Sequence, residues 1–328
     1  MQLKDVGEFQ FIHHIESDTI YDGHTIYKGI GDDCAVYKST DGYDQLISTD
    51  TMVEGVHFSF RYMEPYDVGY RLMTANISDI AAMGGIPRQV VLSVAAHEDM
   101  SLATLTSIYR GIKDQCKEYK INLIGGDTVR TEGPMVWTVT IVGEVPRGRA
   151  ILRSCAQPGD IIGVTDSLGL AATGLEALRR GYEDYPISVT VHRRPIPQIE
   201  LGWTLRQLGV HSMNDISDGL SSELYEIAEA SNVSLNIDSE AIPLHEETRR
   251  LAKQVGLSPL HYALHGGEDF KLLFTAPKSL EKDLLQLSGV TIIGFVTAGP
   301  PEVTMMGADQ KAYRLEKKGY NHFHESCY

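Results

Sequence analysis

The sequence lacks several features that mark common classes of protein. Its four cysteines, Cys34, Cys116, Cys155 and Cys327, are widely spaced and form no C-x-x-C pair, which argues against a zinc site and a disulfide framework. No apolar run reaches the roughly 18 residues of a membrane span, and residues 1–5 contain no apolar signal core. We therefore expect a cytoplasmic protein that is neither exported nor membrane-spanning.

Basic residues are scarce relative to acidic ones. The chain has 29 Lys and Arg against 44 Asp and Glu, a formal net charge of −15. Nucleic acids and anionic membrane surfaces bind proteins mainly through basic groups. The charge balance therefore argues against both as the main partner.

The familiar nucleotide and hydrolase motifs are also missing. There is no Gly-Lys dipeptide and hence no P-loop, and Gly29-Ile30-Gly31 is not completed to G-x-G-x-x-G. The H-E-x-x-H, G-x-S-x-G and kinase H-R-D patterns are absent as well. No motif therefore nominates a zinc protease, a serine hydrolase or a protein kinase.

The length and local composition predict two domains. A chain of 328 residues exceeds one typical core. Between Pro146 and Pro158 the composition shifts to arginine, so we place the boundary there and predict domains at 1–146 and 147–328. Arginines at such a boundary usually form a solvated linker, and the alternative is a group that holds phosphate oxygens.

Apolar periodicity predicts alternating strands and helices in both halves, giving α/β to α+β layers with helices covering a sheet. Residues 1–28 include a predicted short helix. The strands at 35–37 and 45–48 flank a turn-rich stretch and are expected to pair as a hairpin. Pro65 opens a helix that continues to Met83, and a strand at 122–124 leads into Gly125-Gly126-Asp127-Thr128.

Acidic residues recur at the predicted ends of these elements. Each has an ordinary structural interpretation: a turn or cap for Asp50, an exposed helix end for Asp79, a tight turn for Asp127, and an N-cap for Ser217 or Asp218. Considered together, hard carboxylate oxygens without cysteine or clustered histidine favour Mg²⁺. Many carboxylates with few lysines suggest metal ions that neutralise a polyphosphate, and hence phosphoryl transfer or ATP-driven activation. The six aspartates are Asp33, Asp50, Asp79, Asp127, Asp215 and Asp218.

With these residues identified, nearly the whole chain resembles the thiamine-monophosphate kinases, within the superfamily that includes aminoimidazole-ribonucleotide synthetase. Several motifs in the same order make the resemblance specific. They are Gly29–Ala35, Ser48-Thr49-Asp50-Thr51, Gly55–Phe58, Asn76–Gly84, Gly125-Gly126-Asp127-Thr128, Asp215–Leu220, Gly266-Gly267-Glu268-Asp269 and Lys318–Phe323.

The resemblance implies an aminoimidazole-ribonucleotide synthetase-like fold of two domains. The N-terminal sheet would pair with its twin in a homodimer to form a barrel, and the active site would lie in the cleft between domains. The implied reaction, a step of thiamine diphosphate biosynthesis, is direct transfer of phosphate from ATP, the co-substrate, to thiamine monophosphate. Several Mg²⁺ ions would assist the transfer.

The resemblance also implies roles for individual residues. Asp50, Arg153 and Asp218 would be catalytic, and His57 and Glu268 would contact thiamine monophosphate. Lys317 would belong to the substrate site, although relatives often have an aromatic residue there. The implied ATP contacts are Tyr109, Gly126, Asp127, Arg153 and Ser217. The implied metal ligands are Asp33, Ser48, Thr49, Asp50, Asp79, Asp127, Asp215 and Asp218.

Direct transfer agrees with the chemistry of the acceptor. A phosphate monoester has a second pKa of about 6, so its attacking oxygen is already ionised at neutral pH and no general base is required. The runner-up is another ATP-dependent member of the superfamily, which activates an amide, carbamoyl or selenium substrate. A non-catalytic metal-binding or nucleotide-binding module is disfavoured, because the acids are widely spread and no EF-hand loop is present.

Overall fold

The computed structural model describes residues 26–28, 32, 35–38 and 41–320. The predicted N-terminal helix and Asp33 lie outside the described residues. Within the described ranges, no helix combines the length and apolar character needed to cross a membrane.

In the described part of the chain, six strands form the first sheet, in the order β1-β2-β3-β6-β4-β5. Neighbours are antiparallel except β4 and β5, which are parallel. The strands are β1 (Ile26–Lys28), β2 (Ala35–Lys38), β3 (Tyr43–Val53), β4 (Ile86–Ala96), β5 (Asn122–Arg130) and β6 (Val136–Pro146). Helices α1 (Pro65–Ala82) and α2 (Leu102–Glu118) cover one face.

The core of this half lies between the sheet and the two helices. Along β6 every second residue is buried, so Trp137, Val139 and Ile141 face the apolar side of α1. Gly69 and Gly111 let the helices pack closely. A Cβ at Gly69 would lie 1.9 Å from the Ile108 carbonyl oxygen, so any larger residue would separate α1 from α2.

Seven described strands form the second sheet, in the order β13-β12-β9-β11-β7-β10-β8. Neighbours are antiparallel except β9 and β12, which are parallel. The strands are β7 (Asp160–Thr165), β8 (Ser212–Ile216), β9 (Ser234–Asp238), β10 (Lys271–Pro277), β11 (Val290–Thr297), β12 (Glu302–Met306) and β13 (Ala312–Arg314). The helices are α3 (Leu170–Arg180), α4 (Pro186–Arg193), α5 (Ile199–Leu208), α6 (Leu220–Ser231), α7 (Glu246–Val255), α8 (Pro259–His265) and α9 (Glu281–Leu284).

Helix α1 connects the cores of the two halves. Its middle packs in the first core, whereas Ala81 and Ala82 belong to a second cluster with Leu205 of α5 and Met213 of β8. The buried hydroxyl of Ser78 also donates to Asp215, 2.6 Å away. The helix therefore positions side chains at the boundary between the two sheets.

Most predicted elements are confirmed. The expected hairpin is β2 and β3, with Ala35 opposite Ile47. Two of the ordinary structural interpretations are wrong. Residues 125–128 continue β5 as a strand instead of making a tight turn, because they pair in parallel register with β4. Neither Ser217 nor Asp218 is the N-cap of α6; that position is Gly219, and the Asp218 N–H donates to the Glu223 side chain at 2.7 Å.

Candidate active site

A cavity of about 470 Å³ lies between the two halves of the chain. Its described lining contains six carboxylates and a single Arg or Lys side chain, Arg179. Such an acidic cavity attracts cations and leaves anionic ligands dependent on them. The acids are Asp50, Asp79, Glu176, Asp215, Asp218 and Glu268.

The first wall of the cavity is a stripe along α1. Ala75 and Asp79 are four residues apart on the helix, so they lie on one face, and both line the cavity. The hydroxyl of Ser48 on β3 donates to the Asp79 carboxylate. Of the two interpretations of Asp79, the structure therefore supports the inward-facing group and not the exposed helix end.

Strand β3 contributes the second wall, and its alternation separates neighbouring residues. Ser48 and Asp50 project from one face, whereas Thr49 projects from the other. The Thr49 hydroxyl donates to the Val139 carbonyl at 2.8 Å, and its side chain is exposed. The structure thus brings Asp50 and Ser48 toward the cavity and directs the Thr49 hydroxyl toward β6.

Asp50 and Asp215 approach each other from opposite halves of the chain. Burial and the charge of Asp215 raise the pKa of Asp50 from 3.8 to about 6. Burial likewise raises the pKa of Asp215 to about 6, although its hydrogen bond from Ser78 acts in the opposite direction. Two desolvated carboxylates that repel each other favour a bound cation between them.

The loop after β8 brings Ser217 and Asp218 to the same cavity. The buried carboxylate of Glu223 accepts from the Asp218 N–H at 2.7 Å and fixes this loop. Burial, with the nearby charge of Glu226, raises the pKa of Glu223 well above its ordinary value. Glu223 therefore holds the loop that carries Asp218 in place. The sequence analysis gave this residue no role.

The third wall is the turn that carries Glu268. Glu268 and Phe270 have φ angles of 68° and 50°, which are unfavourable for residues with a side chain. The turn is held in place because the Glu268 N–H donates to the Ser217 carbonyl at 2.6 Å. Asp269, fully buried, accepts from the N–H groups of Gly169 and Ala171 at 2.5 and 3.1 Å. Asp269 thereby ties the turn to the start of α3, and Glu268 faces the cavity.

His57 and Tyr320 complete the described lining near this turn. Nδ1 of His57 accepts from the Val53 N–H at 3.0 Å, which fixes the ring. The Tyr320 N–H donates to the Asp218 carbonyl at 3.0 Å, placing this aromatic residue in the cavity. Lys317 instead forms an ion pair with Glu229 at 2.9 Å and is not among the described lining residues.

The carboxylates Asp50, Asp79, Asp215 and Asp218 form the acidic wall of the cavity, and Arg153 lies behind it. Its Nε donates to the Asn214 side chain at 3.0 Å, and Nη1 pairs with Glu226 at 3.0 Å. Its backbone N–H donates to Asp32 at 3.3 Å, so it links the early Gly-Asp-Asp segment to the second half of the chain. The positive charge of Arg153 also lowers the pKa of Asp215 and so opposes the effect of burial.

Three further predicted residues lie away from the described cavity lining. Tyr109 of α2 packs edge-on against Trp137, with ring centroids 5.4 Å apart. Gly126 and Asp127 lie on the exposed strand β5 at the edge of the first sheet. A Cβ at Gly126 would lie 2.1 Å from the Leu92 carbonyl oxygen, so the close pairing of β4 and β5 requires glycine there.

The donor set fits Mg²⁺ better than a transition metal. Within the described ranges, no three His, Cys, Asp or Glu residues are grouped closely enough to hold a metal ion by themselves. The carboxylates Asp50, Asp79, Asp215 and Asp218 instead line one open cavity. Their negative charges repel one another, and a bound cation would offset this repulsion. Mg²⁺ commonly keeps several waters and is shared between carboxylates and substrate phosphates, so an open acidic wall suits it.

Sequence reasoning missed Arg71, His192 and Arg179. Arg71 precedes Ala75 by four residues on α1, so the stripe Arg71, Ala75 and Asp79 would have identified it. His192 lies on α4, a helix of only eight residues that opens with Pro186 and is too short for a periodicity to show in sequence. Arg179 lies in the last turn of α3, where a basic residue has the ordinary role of stabilising the helix end.

Two family models match the chain. They are described as AIR synthase related protein, N-terminal domain, over residues 31–145, and AIR synthase related protein, C-terminal domain, over residues 157–306. The two-domain, AIR synthase-like fold with mixed α/β sheets expected from the sequence is thus confirmed.

Full-length relatives share a substantial part of the sequence. The chain is 40% identical over 329 residues to thiamine-monophosphate kinase of Bacillus subtilis, covering 97% of this chain and 100% of the relative. The corresponding kinase of Escherichia coli K12 is 37% identical over 328 residues, with 97% and 98% covered. A solved structure described as AaThiL complexed with AMPPCP and TMP has a TM-score of 0.86 at 34% identity and covers 98% of this chain and 99% of that one.

Proposed function

Because this chain belongs to the thiamine-monophosphate kinase family, we propose that its interdomain cavity is the site of ATP-dependent phosphorylation of thiamine monophosphate. The product is thiamine diphosphate. The observation that carries this assignment is the meeting of Asp50, Asp79, Asp215 and Asp218, from both halves of the chain, in one cavity with His57 and Glu268. The division into domains at 1–146 and 147–328 is part of the proposal.

We assign the acidic wall to Mg²⁺. The proposed ligands in this wall are Asp50, Asp79, Asp215 and Asp218. Beyond the wall, we propose Ser48, Thr49 and Asp127 as further ligands, together with Asp33, which lies outside the described residues. Since the Thr49 hydroxyl bonds to β6, we assign its backbone carbonyl to the metal. When bound, Mg²⁺ neutralises phosphate oxygens and reduces the repulsion between two anionic reactants.

The side chains of the chain position the reactants rather than transfer protons. The acceptor oxygen of a phosphate monoester is already ionised at neutral pH, so none of the aspartates needs to act as a base. Holding acceptor and donor in line supplies most of the catalysis in such a transfer. Asp50, Arg153 and Asp218 are the residues that we propose to be catalytic in this sense.

ATP and acceptor occupy different ends of the site in this proposal. Tyr109, Gly126, Asp127, Arg153 and Ser217 are the proposed ATP contacts. Because Tyr109 is packed on Trp137 of β6 and Gly126 and Asp127 lie on β5, the nucleotide would extend from the acidic wall toward β5 of the first sheet. His57 and Glu268 are the proposed acceptor contacts. Tyr320 enters the cavity and fits the aromatic role better than Lys317, whose ammonium is paired with Glu229.

Purified protein with ATP, Mg²⁺ and thiamine monophosphate is expected to form one thiamine diphosphate for each ADP. Chromatography of both products measures this ratio directly. A reaction without the acceptor controls for simple ATP hydrolysis. Consumption of ATP only with an amide, carbamoyl or selenium acceptor would contradict the proposal and support the other branch of the superfamily.

The exposed edge of the first sheet supports a homodimer. Strand β5 ends the sheet, and the apolar side chains Ile124, Val129 and Val91 are 61%, 48% and 39% exposed. An exposed apolar edge strand favours association with another sheet. We propose that two copies join their six-stranded sheets here into a barrel.

Replacing Ile124 with Glu is expected to convert the dimer to monomers, because the charge would be buried between the sheets. Light scattering after size-exclusion chromatography should give twice the mass of one chain for the wild type and the mass of one chain for Ile124→Glu. Leu285→Glu is the matched control, since Leu285 is 54% exposed but lies in the second half of the chain. A monomeric wild type would contradict the dimer.

A further inference from the structure

Arg71 is the most deeply buried cation beside the cavity among the described residues. It lies in the middle of α1, and the residue is 0% exposed. Burial lowers its pKa to about 10, so it remains charged at neutral pH. A buried guanidinium is costly unless anionic or accepting groups surround it, so its partners are informative.

Two of these partners come from the opposite half of the chain. Nη2 forms an ion pair with Oε2 of Glu268, and Nη1 lies 3.2 Å from Nε2 of His192. Nη1 also contacts the sulfur of Met63 at 3.7 Å. The planar guanidinium is therefore held by three side chains and directed at the one carboxylate of the Glu268 turn that faces the cavity.

His192 must accept a hydrogen bond from Arg71. An arginine nitrogen can only donate, so Nε2 carries the lone pair and the ring proton is on Nδ1. Burial and the neighbouring charge of Arg71 lower the pKa of His192 well below 6.5, so the ring is neutral at physiological pH. His192 therefore orients Arg71 without competing with it for Glu268.

The backbone of Glu268 leaves its side chain little freedom. The positive φ of 68° and the 2.6 Å hydrogen bond to the Ser217 carbonyl define the direction of its Cα–Cβ bond. Its side chain is 30% exposed, into the cavity. The remaining rotation of the carboxylate is restricted by Arg71.

We propose that Arg71 is a positioning residue that fixes the Glu268 carboxylate for recognition of the thiamine part of the acceptor, and that His192 fixes Arg71. This inference rests on the proposed function. Thiamine carries a permanently cationic thiazolium ring and an exocyclic amino group, and both are recognised by an oriented carboxylate. Arg71 itself does not touch the reacting phosphates, so its effect falls on acceptor binding.

Substituting Arg71 with Met is expected to raise KM for thiamine monophosphate by on the order of 10- to 100-fold, the loss of one charged hydrogen-bonded pair. KM for ATP should stay within about twofold and kcat should fall less than KM rises, because the transferring phosphate does not meet this pair. Arg71→Lys keeps the positive charge but lacks the planar guanidinium with its several donors, so its KM for thiamine monophosphate should lie between those of the wild type and Arg71→Met. His192→Leu should also raise KM for thiamine monophosphate. His192→Gln, which retains a hydrogen-bond acceptor for Arg71, should have a KM close to that of the wild type.

A double-mutant cycle with Glu268→Gln separates positioning from a general loss of structure. If Arg71 acts through Glu268, Arg71→Met adds little to the KM of the Glu268→Gln variant; additive effects would overturn the inference. Arg194→Met is the matched control, because Arg194 pairs across the domains with Asp67 at 2.5 Å outside the cavity and should leave KM unchanged. Should Arg71→Met fail to fold, the cycle is run with Arg71→Lys.

Activity of the wild type and KM of the Arg71→Met variant test the proposed function and the role of Arg71 separately. A wild-type protein that does not phosphorylate thiamine monophosphate overturns the proposed function, whatever the variants do. An active wild type with an Arg71→Met variant that is folded and has an unchanged KM for the acceptor overturns only the role of Arg71. Thermal melting of every variant is measured alongside, to verify the fold.

Discussion

An Asp50→Asn variant is expected to lose at least about 100-fold in kcat with thiamine monophosphate and to remain folded. The carboxylate of Asp50 faces the cavity opposite Asp215, where the two charges are available to a cation and a neutral amide is not. The substitution preserves size and shape, so the packing of β3 should not change. Steady-state kinetics with saturating ATP and Mg²⁺ measures the loss, and circular dichroism verifies the fold.

Asp41→Asn is the control for this experiment. Asp41 lies in the turn just before β3 and is exposed, so the same chemical change is made in the same hairpin without reaching the cavity. Its kcat should equal that of the wild type. A wild-type kcat in Asp50→Asn would exclude Asp50 from the metal site and leave the metal to the other proposed ligands.

The fold was largely predictable because long elements carry strong local patterns. Helix α1 has a proline at its start, a glycine pair after its end and an apolar stripe along its length, so its bounds agree closely with the prediction. Strand β6 alternates cleanly. The short helices α4 and α8 were missed because seven or eight residues span only two turns, too few for the periodicity to show.

The residues of the candidate site also fall into those that local sequence patterns predict and those that they do not. Asp50, Asp79, Asp215 and Asp218 were predictable because each lies in a polar motif at the end or along the inward face of an element. The position of Arg71 on the inward stripe of α1 was predictable, but its role was not, because in sequence it is one more charged residue in a helix. Its role depends on Glu268, 197 positions later in the chain (268 − 71), on a turn whose conformation depends on contacts with Ser217 and α3.

Without divalent cations, the contribution of Asp50 and Asp215 to folding stability is expected to fall as the pH rises. This is the reverse of the usual effect of a carboxylate pair that is stabilised in its ionised form. The carboxyls of Asp50 and Asp215 have pKa values near 6 in the folded protein, against 3.8 for an ordinary aspartate. Between these values the folded protein binds more protons than the unfolded chain, so the contribution of this pair to stability is present below pH 4 and is lost as the pH rises through 6. The loss by pH 8 is on the order of 3 kcal/mol for each of the two carboxyls, given about 1.4 kcal/mol for each pKa unit.

Thermal melting in EDTA, at pH 5 and pH 8, isolates this term when the wild type is compared with Asp50→Asn. The variant cannot acquire the second charge, so it should melt above the wild type at pH 8 and approach it at pH 5. Mg²⁺ should raise the melting temperature of the wild type more at pH 8 than at pH 5, because binding requires ionised carboxylates and stabilises only the folded state. Equal melting temperatures of the two proteins in EDTA at pH 8 would show that Asp50 and Asp215 are not in repulsion, and the acidic wall would then have no need of a cation.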